Sequence, residues 1–158
     1  MERARPARRA DGEHLGQLCR EALDSLEPAR GGALFARREL RLVSTALLRP
    51  GGLDRLLHDA RRHVVAGVLD DSVVGLALGR VDEVGDAALG VVDGLYVAPP
   101  WRRAGVGRAL LDDLHEWFVA QGCRGMDVPA LPGDRATKNL LEGAGFKARL
   151  LTMHRPLP

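Results

Sequence analysis

Residues 102–108 combine residue types that bind an anion, reading Arg-Arg-Ala-Gly-Val-Gly-Arg at the start of an apolar helical pattern. The first N–H groups of a helix have no acceptor within the helix, and the helix dipole gives them partial positive charge. Because Gly105 and Gly107 lack a Cβ, an anion can approach these N–H groups closely. The flanking arginines add positive charge. The segment therefore predicts a backbone site for an anion, in the first place a diphosphate.

Two widespread phosphate-binding motifs do not match this segment. A P-loop requires Lys and then Ser or Thr after its last glycine, where this chain has Arg108-Ala109. A dinucleotide-binding motif requires a small residue at position 110, which is Leu110, and helices that alternate with strands before it. The remaining alternative is structural: the glycines would let a helix pack closely on a strand, and the arginines would lie in a solvated turn.

Hydrophobic periodicity predicts the elements that position this segment. Strands are predicted over 3–9, 63–69, 72–81, 87–97, 125–131 and 146–155, and helices over 12–26, 33–48, 53–60, 106–121 and 135–143. Asp11 and Asp134 are the predicted N-caps of two helices. Strands joined as hairpins, followed by strands that alternate with helices, favour an α+β fold with one mixed sheet.

Length and composition predict one domain spanning residues 1–158. A chain of 158 residues with 46% hydrophobic and 28% charged residues has the composition of a soluble globular domain. No stretch approaches the roughly 20 apolar residues of a membrane helix, and the N-terminus lacks the apolar core of a secretory signal. We therefore expect a cytoplasmic protein with no membrane partner.

Charge and ligand spacing argue against two further classes. A formal net charge of +2 gives little attraction to nucleic acid. The basic N-terminal residues indicate a solvated stretch or, as the weaker alternative, a nucleic-acid arm without interleaved aromatic residues; they are Arg3, Arg5, Arg8 and Arg9. The two cysteines and five histidines show no metal-ligand spacing, so no metal is predicted.

Residues 102–107 resemble the acyl-CoA-binding signature of the GNAT superfamily of N-acyltransferases, Arg/Gln-x-x-Gly-x-Gly/Ala. The flanking residues agree with that family: Leu95-Tyr96-Val97, Pro99-Pro100-Trp101 and Leu110-Leu111, with Gly145-Phe146 similar to its second signature. The element order is similar over the whole chain. The resemblance implies a single acyl-CoA N-acyltransferase (GNAT) domain with a mixed, mostly antiparallel sheet of six to seven strands. About four helices would flank this sheet, which would splay between its fourth and fifth strands.

The resemblance also implies a cosubstrate, acetyl-CoA, and the residues that contact it. The diphosphate would lie on the glycine-rich segment, and the pantetheine arm would pair with the backbone of the fourth strand. The implied contacts are Leu95, Val97, Arg102, Arg103, Ala104, Gly105, Val106, Gly107, Arg108 and Asn139. Pro129 fits a splayed fifth strand because proline lacks the N–H for a ladder bond, although it could equally end a short strand.

The implied reaction is direct attack of a primary amine on acetyl-CoA, which moves the acetyl group to an unidentified acceptor. Asp93 is the predicted base, acting through water, because four residues separate it from Val97 and would place both on one strand face. Asp127 is the second candidate, and a surface carboxylate is the alternative for either. Leu141 stands where the family commonly has a tyrosine that protonates the leaving thiolate, which leaves water or Asn139 as donor.

The loss of that tyrosine keeps a second function open. A non-catalytic acyl-CoA sensor or interaction module would have the same fold and the same glycine-rich segment. Residues 15–60 would set the acceptor, a small molecule or a protein amine. Arg37, Arg38 and Arg41 would suit an acceptor with its own carboxylate, or lie on a solvated helix face. A homodimer is a further expectation, because relatives commonly form one.

Overall fold

The computed structural model describes residues 3–40 and 46–158, which form an α+β fold with one open mixed sheet. Its strands are β1 (Ala4–Pro6), β2 (Arg62–Leu69), β3 (Ser72–Val84), β4 (Ala87–Val97) and β5 (Cys123–Asp127). Its α-helices are α1 (Gly12–Leu26), α2 (Gly32–Arg38), α3 (Gly52–Leu57), α4 (Val106–Ala120) and α5 (Arg135–Gly143). Short 3₁₀ turns at Arg9–Asp11 and Pro99–Trp101 lie before α1 and α4.

The sheet opens at one point. Its strands lie in the order β1-β2-β3-β4-β5, antiparallel except for the last pair, which is parallel because α4 connects the two strands. Pairing between β4 and β5 runs from Ala88 and Cys123 to Val91 and Asp127, whereas β4 continues to Val97. The sheet therefore separates between its fourth and fifth strands, as the family resemblance implied.

Helices cover both faces of the sheet with two separate cores. On one face, α1 and α3 pack against Leu76 and Leu78 of β3. On the other face, α4 packs against Ala77 of β3, because successive residues of a strand point to opposite faces. Phe118 of α4 lies directly over Gly90, in space that a Cβ would need. We call these the α1 face and the α4 face.

The predicted count of six to seven strands is wrong for the part of the chain that the structure describes, where five strands form the sheet. The strand predicted over 146–155 is missing, and residues 146–158 have no regular secondary structure. An apolar run favours a strand only where a neighbouring strand can pair with it. Four large side chains of this segment are 71–83% exposed; they are Leu150, Leu151, Met153 and Leu157.

The helices differ from the predicted set mainly in length. The described residues contain five α-helices, the number that periodicity predicted, where the family resemblance implied about four. The helix predicted over 33–48 is represented by α2, which ends at Arg38. Part of that prediction falls on residues 41–45, outside the described ranges.

The two predicted N-caps have different outcomes. Asp134 caps α5 as predicted, since its Oδ1 accepts from the Thr137 N–H at 3.0 Å. Asp11 precedes α1, but its carboxylate makes no hydrogen bond to that helix. It accepts instead from the Arg5 guanidinium at 2.7 and 2.9 Å and from the Arg8 N–H at 2.7 Å. The ion pair between Arg5 and Asp11 therefore ties β1 to the start of α1.

Candidate active site

The start of α4 presents a row of free backbone donors. Gly105 is its N-cap residue and lies in the left-handed region at φ +85°, where glycine is strongly favoured. The first hydrogen bond of the helix joins the Ala109 N–H to the Gly105 carbonyl at 3.1 Å. No residue in the described ranges accepts from the N–H groups of residues 104–108. This geometry suits an anion, as the sequence predicted.

The arginines of this loop have different surroundings. Arg102 donates through Nε to the Val97 carbonyl at 2.9 Å, and its guanidinium lies 5.6 Å from the centre of the Tyr96 ring. Arg108 pairs with Asp112 at 2.9 Å and donates to the Gly143 carbonyl at 3.2 Å, which joins α4 to α5. Arg103 is exposed, with φ +68°.

A fourth arginine, missed by the sequence analysis, reaches the same loop. Nη1 of Arg3 occupies the space that a Cβ on Gly105 would need. The Arg3 carbonyl accepts from the Val68 N–H at 3.0 Å, which fixes its backbone beside β2. No hydrogen bond or ion pair joins the Arg3 side chain to another residue of the described ranges. A cation held at the positive end of a helix is unfavourable unless an anion lies between them.

A cleft of about 450 Å³ runs from this loop through the opening between β4 and β5. Its loop end is lined by Arg102, Arg103, Gly105, Gly107 and Arg108. Its apolar end is lined by Ala22, Leu23 and Leu26 of α1 together with Phe35 and Leu40. Between the two ends lie β4, residues 128–131 and the first turns of α5. The cleft thus joins an anion site to an apolar surface.

The free edge of β4 faces this cleft. The Ala98 N–H donates to Val74 of β3 at 2.9 Å, and the Val97 carbonyl accepts from Arg102 rather than from β3. Successive residues of a strand direct their N–H and C=O groups to opposite sides. The peptide groups of Leu95 and Val97 therefore point toward the gap, where β5 no longer pairs with β4.

Seven of the ten predicted contact residues line the cleft: Leu95, Val97, Arg102, Arg103, Gly105, Gly107 and Arg108. Ala104 and Val106 contribute backbone N–H groups to the loop, but the Val106 side chain is buried in the α4-face core. Asn139 is exposed and does not line the cleft; the residues of α5 that do are Ala136, Thr137 and Leu140. Pro129 lines the cleft two residues beyond the end of β5.

Asp93 lies in a bulge of β4, which sequence reasoning missed. Leu78 is opposite Gly94 and Gly79 is opposite Val92, so Asp93 is an extra residue in the strand. An extra residue shifts the alternation of side chains. The prediction that Asp93 shares a face with Val97 is therefore wrong: Val97 packs on the α4 face, whereas Asp93 contacts Arg80 on the α1 face.

Both predicted carboxylates have arginine partners. The Asp93 side chain is 1% exposed, pairs with Arg80 and lies 3.5 Å from a guanidinium nitrogen of Arg62. Asp127, at the end of β5, accepts from Nε of Arg149 at 2.7 Å. Neither carboxylate lines the cleft. A base must reach the substrate or a bound water, and these partners occupy both carboxylates in the structure.

Tyr96, predicted as a core or cleft-wall residue, lines the cleft. Burial, and to a lesser degree the charge of Glu21, raises the pKa of its phenol above the ordinary value. Tyr96 therefore keeps its proton at neutral pH. Leu141 is 7% exposed and does not line the cleft, whereas its neighbour Leu140 does.

Two other kinds of site are absent from the described ranges. No group of three or more His, Cys, Asp or Glu side chains is arranged to hold a metal ion. No helix there has the length and apolar character to cross a membrane. Cys19 is buried, which raises the pKa of its thiol to about 11 and leaves it a poor nucleophile.

The fold and the glycine-rich loop define an acyl-CoA-dependent class of protein, and comparison with known families agrees. The sequence matches the profile of the acetyltransferase (GNAT) family over residues 20–146. The chain therefore belongs to the GNAT family of acetyltransferases. The match includes β2 to α5 and both segments that carried the resemblance.

Individual relatives match the chain less completely or at lower sequence identity. Aminoglycoside N(6')-acetyltransferase type 1 of Stenotrophomonas maltophilia is 37% identical over 78 residues, which are 46% of this chain and 51% of that protein. The chain thus aligns with about half the length of this curated relative. The structure of AAC(6')-Iy with a CoA-containing bisubstrate analogue matches with a TM-score of 0.69 at 19% identity. This alignment covers 98% of this chain and 97% of the AAC(6')-Iy chain. A transcriptional regulator from Bacillus halodurans C-125 also has a TM-score of 0.69, at 18% identity, covering 96% and 98%. At identities of 19% and 18%, the two structural matches show that the fold is shared and no more than that.

Proposed function

We propose that this protein is an N-acetyltransferase that moves an acetyl group from acetyl-CoA to a primary amine. The observation that carries the proposal is the row of free N–H groups at residues 104–108, at one end of a cleft that enters the sheet. Family membership supports it. AAC(6')-Iy, which shares the fold, has been solved in complex with CoA.

The residues of this chain would hold the cosubstrate at two places. The N–H groups of residues 104–108 would bind the diphosphate, and the exposed Arg103 and Arg3 would add positive charge beside it. The N–H groups of Leu95 and Val97 and the Leu95 carbonyl would pair with the amides of the pantetheine arm, taking the place that a paired β5 would otherwise occupy. Asn139 has no role in this proposal, because it is exposed outside the cleft.

When bound, acetyl-CoA supplies a thioester whose carbonyl carbon an unprotonated amine can attack; the C–N bond forms, the C–S bond breaks and CoA leaves as its thiol. The cleft offers few groups for the two proton transfers. The hydroxyl groups of Ser25 and Thr137 already donate to Ala22 and Asp134. Tyr96 is the other hydroxyl of the lining, so we propose that it donates the proton to the leaving sulfur.

The fate of the amine proton defines the role of Asp93. As a base, its carboxylate would have to exchange an arginine for a water molecule. The buried ion pairs favour a positioning role instead, in which Asp93 fixes the bulge of β4 and solvent water takes the proton. Asp93→Asn should then lower the free energy of unfolding by about 2 kcal/mol and leave the pH dependence of kcat/KM unchanged. If Asp93→Asn removed the acidic limb of the pH profile of kcat/KM, Asp93 would be the base instead.

Two measurements test the proposed activity together. Isothermal titration calorimetry with CoA should give a dissociation constant in the micromolar range, and a thiol-release assay with acetyl-CoA and an amine panel should detect turnover. CoA binding without release from any amine would support the second candidate, an acyl-CoA sensor. The arginine partners of Asp93 and the fold shared with a transcriptional regulator favour that candidate. Absence of CoA binding would contradict both.

Cytoplasmic location and homodimer formation stay predictions. The exposed apolar side chains at Leu150, Leu151 and Met153 are consistent with a further contact surface. Size-exclusion chromatography with light scattering gives the mass in solution: twice the 17.1 kDa of one chain would support the dimer, and a single-chain mass would contradict it.

A further inference from the structure

The apolar end of the cleft contains almost no charge. Its lining consists of aliphatic and aromatic side chains from α1 and of residues 35 and 40, with β4 beside it. The Ser25 hydroxyl there already donates to the Ala22 carbonyl at 2.7 Å. This end therefore offers a substrate mainly apolar contacts, and the adjoining β4 offers the Tyr96 hydroxyl.

Acidic groups are few in the lining of the cleft. Among the described residues that line the cleft, Asp134 is the one carboxylate, and Thr137 uses both of its oxygens. Glu21 of α1 lies outside the lining and accepts from Gln17 at 3.1 Å. Residues 41–45, which follow α2, read Arg-Leu-Val-Ser-Thr and contain no acid. Among the described residues, the lining of this end thus contains no carboxylate, and Glu21, whose charge acts on Tyr96, lies outside it.

This composition selects against polycations. Removing an ammonium ion from water without a paired anion costs several kcal/mol, and each additional amine of a substrate repeats that cost. The arginines at the loop end oppose positive charge further. Aminoglycosides, on which a sequence relative of this chain acts by its name, carry several amines. The apolar end is therefore poorly matched to such a substrate.

We propose that the acceptor is a small primary amine attached to an uncharged, apolar body, which packs against Leu23, Leu26 and Phe35. This inference rests on the proposed acetyltransferase function. Transfer of the ammonium group into apolar surroundings lowers its pKa, because burial disfavours the charged form. The apolar end thus increases the fraction of neutral amine, the form that attacks, without help from the carboxylates of β4 and β5, which are held by arginines outside the cleft.

Titration of amines into the CoA-saturated protein tests the proposal without requiring turnover. Phenethylamine represents the apolar amines, and kanamycin and spermidine represent the polycations. The expected result is a dissociation constant for phenethylamine at least tenfold below those of both polycations. The values of kcat/KM with acetyl-CoA should follow the same order. Equal or tighter binding of either polycation, or absence of phenethylamine binding, would overturn the proposal.

A matched pair of variants locates the effect. Leu26→Glu introduces a carboxylate into the apolar lining, whereas Leu34→Glu makes the same change on α2 at a side chain that is 45% exposed and outside the cleft. Leu26→Glu should weaken phenethylamine binding at least tenfold and strengthen spermidine binding, and Leu34→Glu should do neither. Equal effects of the two variants would overturn the proposal.

CoA affinity separates this inference from the proposed function. Both variants should bind CoA as the unmodified chain does, because the loop end is unchanged. If phenethylamine binds the CoA complex but no thiol is released, the acceptor class stands and the catalytic proposal fails. If thiol is released with polycations alone, catalysis stands and the acceptor class fails.

Discussion

The two ends of the cleft present different groups to a ligand. At the loop end these are backbone N–H groups, held by Gly105 and the first turn of α4. At the apolar end they are side chains of α1 and its neighbours. Backbone recognition depends on chain geometry and tolerates few sequences, whereas an apolar surface tolerates many. We therefore expect changes at the loop end to affect CoA affinity and changes at the apolar end to affect the acceptor.

The largest effect is expected from Gly105→Val. A β-branched residue is strongly disfavoured at φ +85°, and its side chain would lie where the anion binds. CoA affinity should fall about 100-fold, which is about 2.7 kcal/mol, by calorimetry. Gly85→Val is the matched control, because Gly85 has φ +63° in the β3–β4 turn, away from the cleft. Equal losses of CoA affinity in the two variants would show general strain and not a local anion site.

A smaller effect on a different quantity is expected from Tyr96→Phe, at the middle of the cleft. Loss of the hydroxyl removes the proposed proton donor, and kcat should fall about tenfold, less than a typical general-acid effect, since water can substitute. The CoA dissociation constant should change less than twofold. A stopped-flow thiol assay with the best amine measures kcat. An unchanged kcat at pH 7 and above would contradict the donor role.

Arg3→Ala should weaken CoA binding about fivefold, because the Arg3 side chain and the diphosphate would form an exposed charge pair, which contributes little. The loss should shrink in 0.5 M salt, which screens exposed charges. Arg155→Ala, which removes the same charge from the exposed C-terminal segment, should leave CoA affinity unchanged. If Arg3→Ala and Arg155→Ala had the same effect, net charge and not position would be responsible.

The smallest effect concerns the anchoring of β1, the strand that follows Arg3. Hydrogen bonds from the Arg5 guanidinium hold the pKa of Asp11 below its ordinary value of about 3.9. A lowered folded-state pKa stabilises the protein above about pH 4, and this stabilisation is lost as the pH falls through the lowered pKa. Asp11→Asn should thus cost about 1 kcal/mol at pH 7 and less at pH 2.5. Urea unfolding measures both values.

Asp54→Asn is the matched control for that acid dependence. Asp54 pairs with Arg9 at 2.8 Å, but its side chain is 47% exposed. Exposed pairs contribute little, so stability should stay within about 0.5 kcal/mol at both pH values. A cost for Asp54→Asn equal to that of Asp11→Asn would show that burial of the Asp11 pair is unimportant.

The same comparison explains what the sequence could predict. The loop end is local: two glycines, the helix pattern after them and the missing side-chain cap all lie within a few residues, so the unpaired N–H groups of this helix start were predictable, and anion binding there stays a prediction. The Arg3 contact was not, since it joins two segments distant in sequence through the pairing of β1 with β2. The apolar end is assembled from α1, α2 and Leu40, and none of these alone indicates a ligand.

The two wrong predictions about strands also have physical causes. Alternation predicted one face for Asp93 and Val97, but a single extra residue in β4 reverses the alternation beyond it. Such a bulge has no reliable signal in one sequence. The strand predicted over 146–155 has the right residue types and no neighbouring strand, which is a property of the folded chain.

The unpaired edge of β4 has a consequence for hydrogen–deuterium exchange. Val97 and Ala98 are adjacent, yet the Ala98 N–H donates to β3 while the Val97 N–H points into the gap. Deuterium should therefore enter at Val97 much sooner than at Ala98, because exchange requires the hydrogen bond to open first. A molecule that pairs with β4 would slow only the first of these two rates. The ratio of the exchange rates at these two adjacent residues would then measure the fraction of protein molecules whose cleft is occupied.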